Sequence, residues 1–265
     1  MLINDLYRPE LPYEEINAQM FCLNGETGDV DPALLSEHVM DVYINDTLSM
    51  KLSCTPEYLP ELVLGRLISE GIISSADEVK ALNICKYGSQ AHVYLVPERA
   101  SSVRQTDVTM TPTCCTDNKV FCSMVGVGNS GDREPSHISF SWEPKWIYMS
   151  AEVFKADTPL HGMTHSTHSA YLYREGELLF MAEDIGRHNA MDKVLGYALR
   201  NCIELSECYV YTSGRVPTDM MNKIVRAGVP MLISKEVPTI QAIEMAKEAG
   251  ITLIGRARES SFVAY

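Results

Sequence analysis

Two adjacent cysteines, Cys114 and Cys115, lie in the run Thr111-Pro112-Thr113-Cys114-Cys115-Thr116-Asp117-Asn118. Proline and hydroxyl residues place the pair in a polar loop rather than a core strand, and nucleophilic sulfur chemistry needs an accessible thiolate. The same pair can instead close into a strained, easily reduced disulfide, or be purely structural. The other cysteines are Cys22, Cys54, Cys85, Cys122, Cys202 and Cys208. None forms a C-x-x-C pair, which argues against a zinc ribbon or a thioredoxin-type site. Most of them are expected to be reduced and to act as small core hydrophobes.

A second cluster is His161, His165 and His168. Imidazoles four and three residues apart can share a helical face around a metal. Gly162, Ser166 and Ser169 favour a loop or strand there, so no metal site is expected. The third and densest group is the run Glu183-Asp184-Ile185-Gly186-Arg187-His188-Asn189-Ala190-Met191-Asp192-Lys193. Its acids, bases and amide exceed what packing alone asks of a helix start.

Such residues must be positioned by ordinary elements. Val42–Ile44 and Ser49–Leu52 flank Asn45-Asp46-Thr47 as a hairpin. Thr55 reads as a helix N-cap with Pro56 at the first helical position, and Leu59, Leu62, Val63 and Leu67 form an apolar stripe that stops at Gly71. Pro60 is expected to cost that helix one backbone hydrogen bond. Val79–Cys85 and His92–Val96 are further strands, and nothing in the first hundred residues points to chemistry. Residues 101 to 150 are the least regular, with turn formers at Ser101-Ser102, Thr109 to Thr113 and Gly126 to Ser136, and read as a functional loop or a linker.

From Ala151 the pattern sharpens. Ala170–Tyr173 and Leu178–Ala182 flank Glu175-Gly176 as a hairpin, and a helix carries Ala190, Met191, Val194, Leu195, Ala198 and Leu199 on one face. Cys208–Tyr211, a helix over Thr218–Ala227, Met231–Ser234, a helix from about Pro238 to Ala249 and Ile251–Ile254 then alternate. That order implies a parallel sheet with right-handed crossovers. In such a sheet the segments 183–188, 212–216, 234–238 and 255–261 emerge at one edge, the edge where α/β folds bind ligands. They bring Arg187, His188, Arg215, Lys235, Arg256 and Arg258 together, with Gly186 and Gly214 allowing close backbone approach. An anion such as a nucleotide phosphate suits that edge, with two helix N-termini aimed at it. The plainer alternative is that these charges cap helices and pair with Glu183 and Asp184.

Composition bounds the function. The 265 residues carry a formal net charge of -13, with 46% apolar and 22% charged residues. That balance supports a sizeable core and argues against wrapping nucleic acid, which needs a basic surface. No stretch reaches the roughly 20 apolar residues of a membrane span. Met1 to Asp31 shows no signal-peptide core, so a cytoplasmic location is expected. Gly126-Val127-Gly128-Asn129-Ser130-Gly131 fits a dinucleotide fingerprint, but Pro135 and the alternation Ile138-Ser139-Phe140-Ser141 argue that no helix follows it.

The run 183–193 is similar to the E-D-x-G-R-H-N-A-x-D-K signature of the FdhD/NarQ family of formate dehydrogenase accessory sulfurtransferases. Thr212-Ser213-Gly214-Arg215 resembles that family's second motif, and Pro238-Thr239 and Gly250-Ile251-Thr252-Leu253-Ile254-Gly255 also fit. Cys54-Thr55-Pro56 and Ser69-Glu70-Gly71-Ile72-Ile73 resemble its N-terminal pattern, so the likeness spans about residues 40 to 265. It implies an α/β fold: a small N-terminal α+β domain over residues 1–105, an irregular cysteine-bearing region over 106–150, and a cytidine-deaminase-like domain with a largely parallel sheet over 151–265. The zinc-deaminase signature is absent, so the fold is expected without that chemistry.

The resemblance further implies a sulfurtransferase, acting as a homodimer, that takes sulfur from a cysteine desulfurase as a persulfide. The sulfur then passes to bis(molybdopterin guanine dinucleotide) before the cofactor enters formate dehydrogenase. Cys114 is then the persulfide carrier and Cys115 a relay or resolving thiol. The cofactor-binding set is Arg187, His188, Ser213, Gly214, Arg215, Arg256, Ala257, Arg258, Glu259, Ser260 and Ser261, with Asp184 and Asp192 orienting those groups. The sequence departs from the family where C-G-x-C-G is expected: Cys115 stands at a glycine and Asp117 at the second cysteine. Thr164-His165-Ser166-Thr167-His168 replaces T-G-G-x-H, and Arg256 replaces an aromatic residue. These departures leave open a non-catalytic binding chaperone for a guanine-containing cofactor, and a redox sensor built on the vicinal pair.

Overall fold

The computed structural model describes residues 1–9, 11–100, 111–113, 118–120, 140–156 and 158–265, the side chains of 111–113 and 118–120 excepted. The chain begins with β1 (Leu2–Asp5), then four short strands, β2 (Tyr13–Glu15), β3 (Ala18–Phe21), β4 (Thr27–Val30) and β5 (Ala33–Leu35). The latter pair as two small antiparallel ladders, β2 with β5 and β3 with β4. Next come β6 (His38–Ile44), β7 (Thr47–Cys54), α1 (Leu59–Ser69), β8 (Val79–Ile84), β9 (Gln90–Leu95) and α2 (Pro97–Ala100). After them, β10 (Thr111–Thr113) and β11 (Asn118–Val120) complete a seven-stranded sheet of order β1-β8-β9-β6-β7-β11-β10.

Asn45 and Asp46 both take positive φ, 47° and 64°, so the β6–β7 link is the two-residue turn whose twist matches paired strands. Alternation along these strands sends Met40, Val42, Ile44, Met50, Leu52 and Cys54 into the core. Every residue of α1 is buried, because it lies between this sheet and the helices of the second one. Tyr58, not Thr55, is its N-cap, in a left-handed conformation with φ 55°. That sharp turn frees Thr55 for a different task. Pro60 falls in the first turn, where backbone N–H groups have no intrahelical partner, so the expected lost hydrogen bond does not arise.

The second half contains α3 (Pro144–Ala156), α4 (Pro159–Thr164), β12 (His168–Arg174), β13 (Glu177–Asp184), α5 (Arg187–Arg200), β14 (Tyr209–Thr212), α6 (Thr218–Ala227), β15 (Met231–Ser234), α7 (Ile240–Glu248), β16 (Thr252–Gly255) and β17 (Val263–Ala264). The strands form a sheet of order β13-β12-β14-β15-β16-β17. The expected parallel run is β14, β15 and β16, joined by α6 and α7; β12 lies antiparallel to β14 and to β13, and β17 to β16. The fold is therefore mixed α/β.

The two faces of this sheet have different cores. Ala170, Leu172, Val210, Leu232 and Leu253 join α1, α5 and α6 in one continuous apolar cluster that also includes the first sheet. The other face is aromatic: Tyr171, Tyr173, Tyr209 and Tyr211 pack with Ile147 and Ala151 of α3. Trp146 stacks on Tyr209, and Tyr209 on Tyr173 at 5.1 Å. The two halves meet where α1 crosses α5. A Cβ on Gly65 would stand 1.7 Å from the Asp192 carbonyl oxygen, and one on Gly196 would stand 1.8 Å from that of Glu61. Each helix thus places a glycine where the other's backbone passes.

Candidate functional site

Register fixes where the polar segments emerge. His168 pairs with Asp184, Ala170 with Thr212, Thr212 with Ser234, and Ile233 with Ile254. The C-terminal ends of β13, β14, β15 and β16 therefore share one edge with the start of β12, as the alternation of elements predicts. The loops there are tied to each other. Ser213 N donates to Ser169 O at 3.0 Å, Lys235 N to Thr212 O at 3.0 Å and Ala257 N to Ser234 O at 3.0 Å. Ser234 Oγ donates to Gly214 O at 2.8 Å.

The run 183–193 divides by direction. Glu183 accepts from the N–H groups of Leu160 and His161, both at 2.8 Å, and from Thr167 Oγ1 at 2.9 Å, so it caps the start of α4. Asp184 is fully buried. It accepts from Lys193 Nζ at 2.7 Å, Thr55 N at 3.1 Å, Gly186 N at 3.0 Å and Asn189 Nδ2 at 2.9 Å. Thr55 Oγ1 also accepts from Lys193 Nζ at 2.6 Å, and Asn189 Nδ2 reaches Ser53 O at 2.7 Å. Asp192 accepts from Lys223 Nζ at 2.8 Å, Ser69 Oγ at 2.8 Å and Arg66 Nη1 at 3.2 Å. These acids organise the scaffold beneath the edge. Thr55, Arg66 and Ser69 belong to the first half of the chain, so residues there hold the start and the body of α5 in place.

Arg187 and His188 open α5 at the edge itself. Gly214 gives Arg187 room, since a Cβ on it would meet Arg187 Cδ at 2.9 Å. His188 Nε2 contacts Asp219 Oδ2 at 3.0 Å; the His188 side chain is 2% exposed and that of Asp219 52%. The hydrogen bond from His188 is the main reason the Asp219 carboxyl is held down at about 2, with Arg187 adding to it. His168, the first residue of β12, contacts Ser213 Oγ at 3.4 Å, and Ser213 Oγ accepts from Ser169 N at 2.9 Å. Burial lowers the His168 pKa, and the charges of Arg187, His161, His188 and Arg215 lower it further. Arg187, His188, Ser213, Gly214 and Arg215 are thus brought together around His168. The sequence offers His168 as a motif position and as a member of a histidine cluster, but gives no sign of Asp219, which no spacing rule links to a histidine 31 positions earlier.

The remaining segment lies across the edge. Arg256 is exposed, with φ 52°. Ala257 is buried and its carbonyl accepts from Tyr211 OH at 3.4 Å. Arg258 donates to the carbonyls of Lys235 and Ala257, and it faces Glu236 at 3.7 Å. Glu259 pairs with Lys155 at 2.8 Å, and Ser260 and Ser261 are exposed. The edge therefore holds two groups, a cationic one around Arg187 and a mixed one around Arg258.

His161 lies in α4 and His165 caps its end, with φ 51°. His165 thus takes the left-handed conformation a glycine would favour, where the family motif has glycine. The rings of His161 and His165 stand edge to face at 5.8 Å. Among the described residues no group of three or more His, Cys, Asp or Glu is arranged to hold a metal ion.

Cys114, Cys115, Cys122 and the glycine-rich run 126–131 lie outside the described residues. Their described neighbours, β10 and β11, pair with Thr113 opposite Asn118, and β11 continues onto β7 with Lys119 opposite Lys51. Of the other thiols, Cys54 and Cys208 are buried; burial pushes Cys54 far up and Cys208 up to about 11. Cys22 and Cys202 are exposed and Cys85 is half-buried, which corrects the expectation of core thiols at those positions. A cavity of about 770 Å³ lined by Cys202, Leu205, Pro230 and Ile251 opens among the loops that precede the parallel strands. It contains none of the edge cations. Among the described residues, no helix is long and apolar enough to cross a membrane.

Comparison with known proteins agrees with this architecture. Residues 35–265 match the profile of the FdhD/NarQ family. The chain is 33% identical over 243 residues to a Bacillus subtilis protein named sulfur carrier protein FdhD, covering 91% of each chain. It is 32% identical over 234 residues to a Bacillus pumilus protein of the same name, covering 88% of this chain and 87% of the other. A solved structure from Desulfotalea psychrophila, of a protein named for a formate dehydrogenase accessory role, has the same fold. Its TM-score is 0.72 at 23% identity, with 96% of each chain covered. The chain belongs to the FdhD/NarQ family.

Proposed function

We propose that this chain is a sulfur carrier that serves formate dehydrogenase maturation in the cytoplasm, with a cysteine desulfurase as donor and bis(molybdopterin guanine dinucleotide) as the acceptor substrate. The Cys114 thiolate attacks the terminal sulfur of the desulfurase persulfide. The sulfur–sulfur bond there breaks, the desulfurase cysteine leaves as thiolate, and Cys114 carries the persulfide without any oxidant. Cys115 acts as relay or resolving thiol. Arg187, His188, Ser213, Gly214 and Arg215 provide the field for the cofactor's phosphates, and the 256–261 segment flanks them. His188 acts from beneath, since its side chain is only 2% exposed.

The observation that carries the reading is the position of β7. Lys51 pairs with Lys119 of β11, the strand that leaves the Cys114–Asp117 connection. Two residues further on, Ser53 O accepts from Asn189 in the first turn of α5. A strand rises about 3.3 Å per residue, so about 7 Å of β7 separates those two attachments. The strand beside the cysteines and the turn that bears Arg187 are held by one continuous element. A relative named as a sulfur carrier, 33% identical, supports the same reading.

Complementation in cells lacking the accessory protein tests it. Cys114→Ala is expected to abolish formate dehydrogenase activity while guanine nucleotide binding persists. The altered cysteine motif favours one rival, a binding chaperone that transfers no sulfur; full rescue by a Cys114→Ala, Cys115→Ala double variant would establish it instead.

A further inference from the structure

The edge is rimmed by cations, yet one carboxylate is built rigidly into it. Asp219 is the second residue of α6, and half of its side chain is open to solvent. Its two oxygens are held separately: Oδ2 by His188 Nε2 at 3.0 Å and Oδ1 by the Met220 N–H at 2.8 Å. The histidine comes from inside the protein, so the clamp does not depend on solvent-exposed side chains. The other acids of this region are differently occupied. Glu183 and Asp184 are buried and taken up by backbone, hydroxyl and lysine donors. Glu236 and Glu259 pair with Arg258 and Lys155.

A carboxylate offers about four acceptor positions, two on each oxygen. His188 and Met220 use one on each, which leaves one on each. Such a group repels phosphate, so the part of an anionic ligand that meets it must carry donors. Guanine presents two adjacent donors, its ring N–H and its exocyclic amine, which a carboxylate accepts side by side. Adenine presents a donor beside an acceptor, and an amide rather than a carboxylate suits it.

We propose that Asp219 is the specificity-determining residue of this edge, the carboxylate that selects a guanine ring over other bases, with His188 as the positioning residue that holds it. The inference rests on the reading of the edge as a cofactor site and names the group that chooses among nucleotides there. Arg187 and Arg215 then serve the phosphates and Asp219 the base, which explains why a fixed acid sits beside them.

Calorimetric titration of the purified chain with guanosine, inosine and adenosine diphosphates tests the assignment. Wild type is expected to bind the guanosine form at least about tenfold more tightly than the other two, because inosine lacks the amine and adenosine lacks both donors. Asp219→Asn is expected to lose about tenfold or more toward guanosine diphosphate and to hold adenosine diphosphate within about threefold. The wild-type ranking of guanosine over inosine tests the same contact from the ligand side, should the variant not fold. Retained guanine preference in Asp219→Asn, equal losses for all three ligands, or equal wild-type affinity for guanosine and inosine diphosphates overturns the assignment. A wild type that binds no guanine nucleotide removes the cofactor-site reading as well.

Discussion

Asp192 shows how single residues of the signature act. It is fully buried, and Lys223, Ser69 and Arg66 reach it from three surroundings: α6, the end of α1 and the middle of α1. Burial pushes its pKa up, but Lys223 and Arg66 outweigh burial and hold it below the ordinary carboxylate value. A carboxyl lowered in the folded state stabilises the protein above its unfolded pKa of about 3.9, and that contribution is lost as pH falls through the folded value. Asp192→Asn keeps the shape but strands two cations, so a loss of about 3–5 kcal/mol at neutral pH is expected from denaturant unfolding. The variant's stability should also fall less steeply than wild type below about pH 4. A variant within about 1 kcal/mol of wild type would refute that role. The run 183–193 was legible as one unit, but its division was not. Spacing does not distinguish Asp184 and Asp192, which turn inward, from Arg187, because their deciding partners Thr55, Arg66 and Lys223 are remote along the chain.

Local pattern governs several elements completely. Thr218–Ala227 and Met231–Ser234 have the boundaries the sequence predicts. The Asn45-Asp46 and Glu175-Gly176 turns both use positive φ. The start of α1 departs from its local pattern: Thr55-Pro56 has the composition of a helix start, but Tyr58 makes the turn and Thr55 is held by Asp184. The α1–α5 crossing was invisible for the same reason: two glycines inside helical patterns gain meaning only when they face each other. Gly65→Ala is expected to destabilise the fold by about 3 kcal/mol or more, since backbone at 1.7 Å cannot yield as a side chain can. Gly162→Ala, with nothing within 4 Å of its Cβ, is expected to be neutral or to stabilise α4 by about 0.5–1 kcal/mol. Thermal melts of the two variants compare them directly, and equal losses would contradict the packing argument.

At the scale of the whole molecule, a chain with a net charge of -13 gathers cations at one edge of its second sheet and anchors that edge to its first sheet through Thr55, Asn189 and Lys193. Charge and alternation of elements were enough to locate the edge. They do not name a ligand; the one proposed for it rests on the family relationship. The β7 strand gives the account its physical unity, because the strand next to the cysteine connection and the start of α5 are fixed to it two residues apart. The most direct test of the central claim is intact mass spectrometry after incubation with a cysteine desulfurase and cysteine under non-reducing conditions. One added sulfur is expected on the wild type and none on Cys114→Ala. Equal sulfur on both, or none on the wild type while guanine nucleotide still binds, would contradict a Cys114 sulfur carrier.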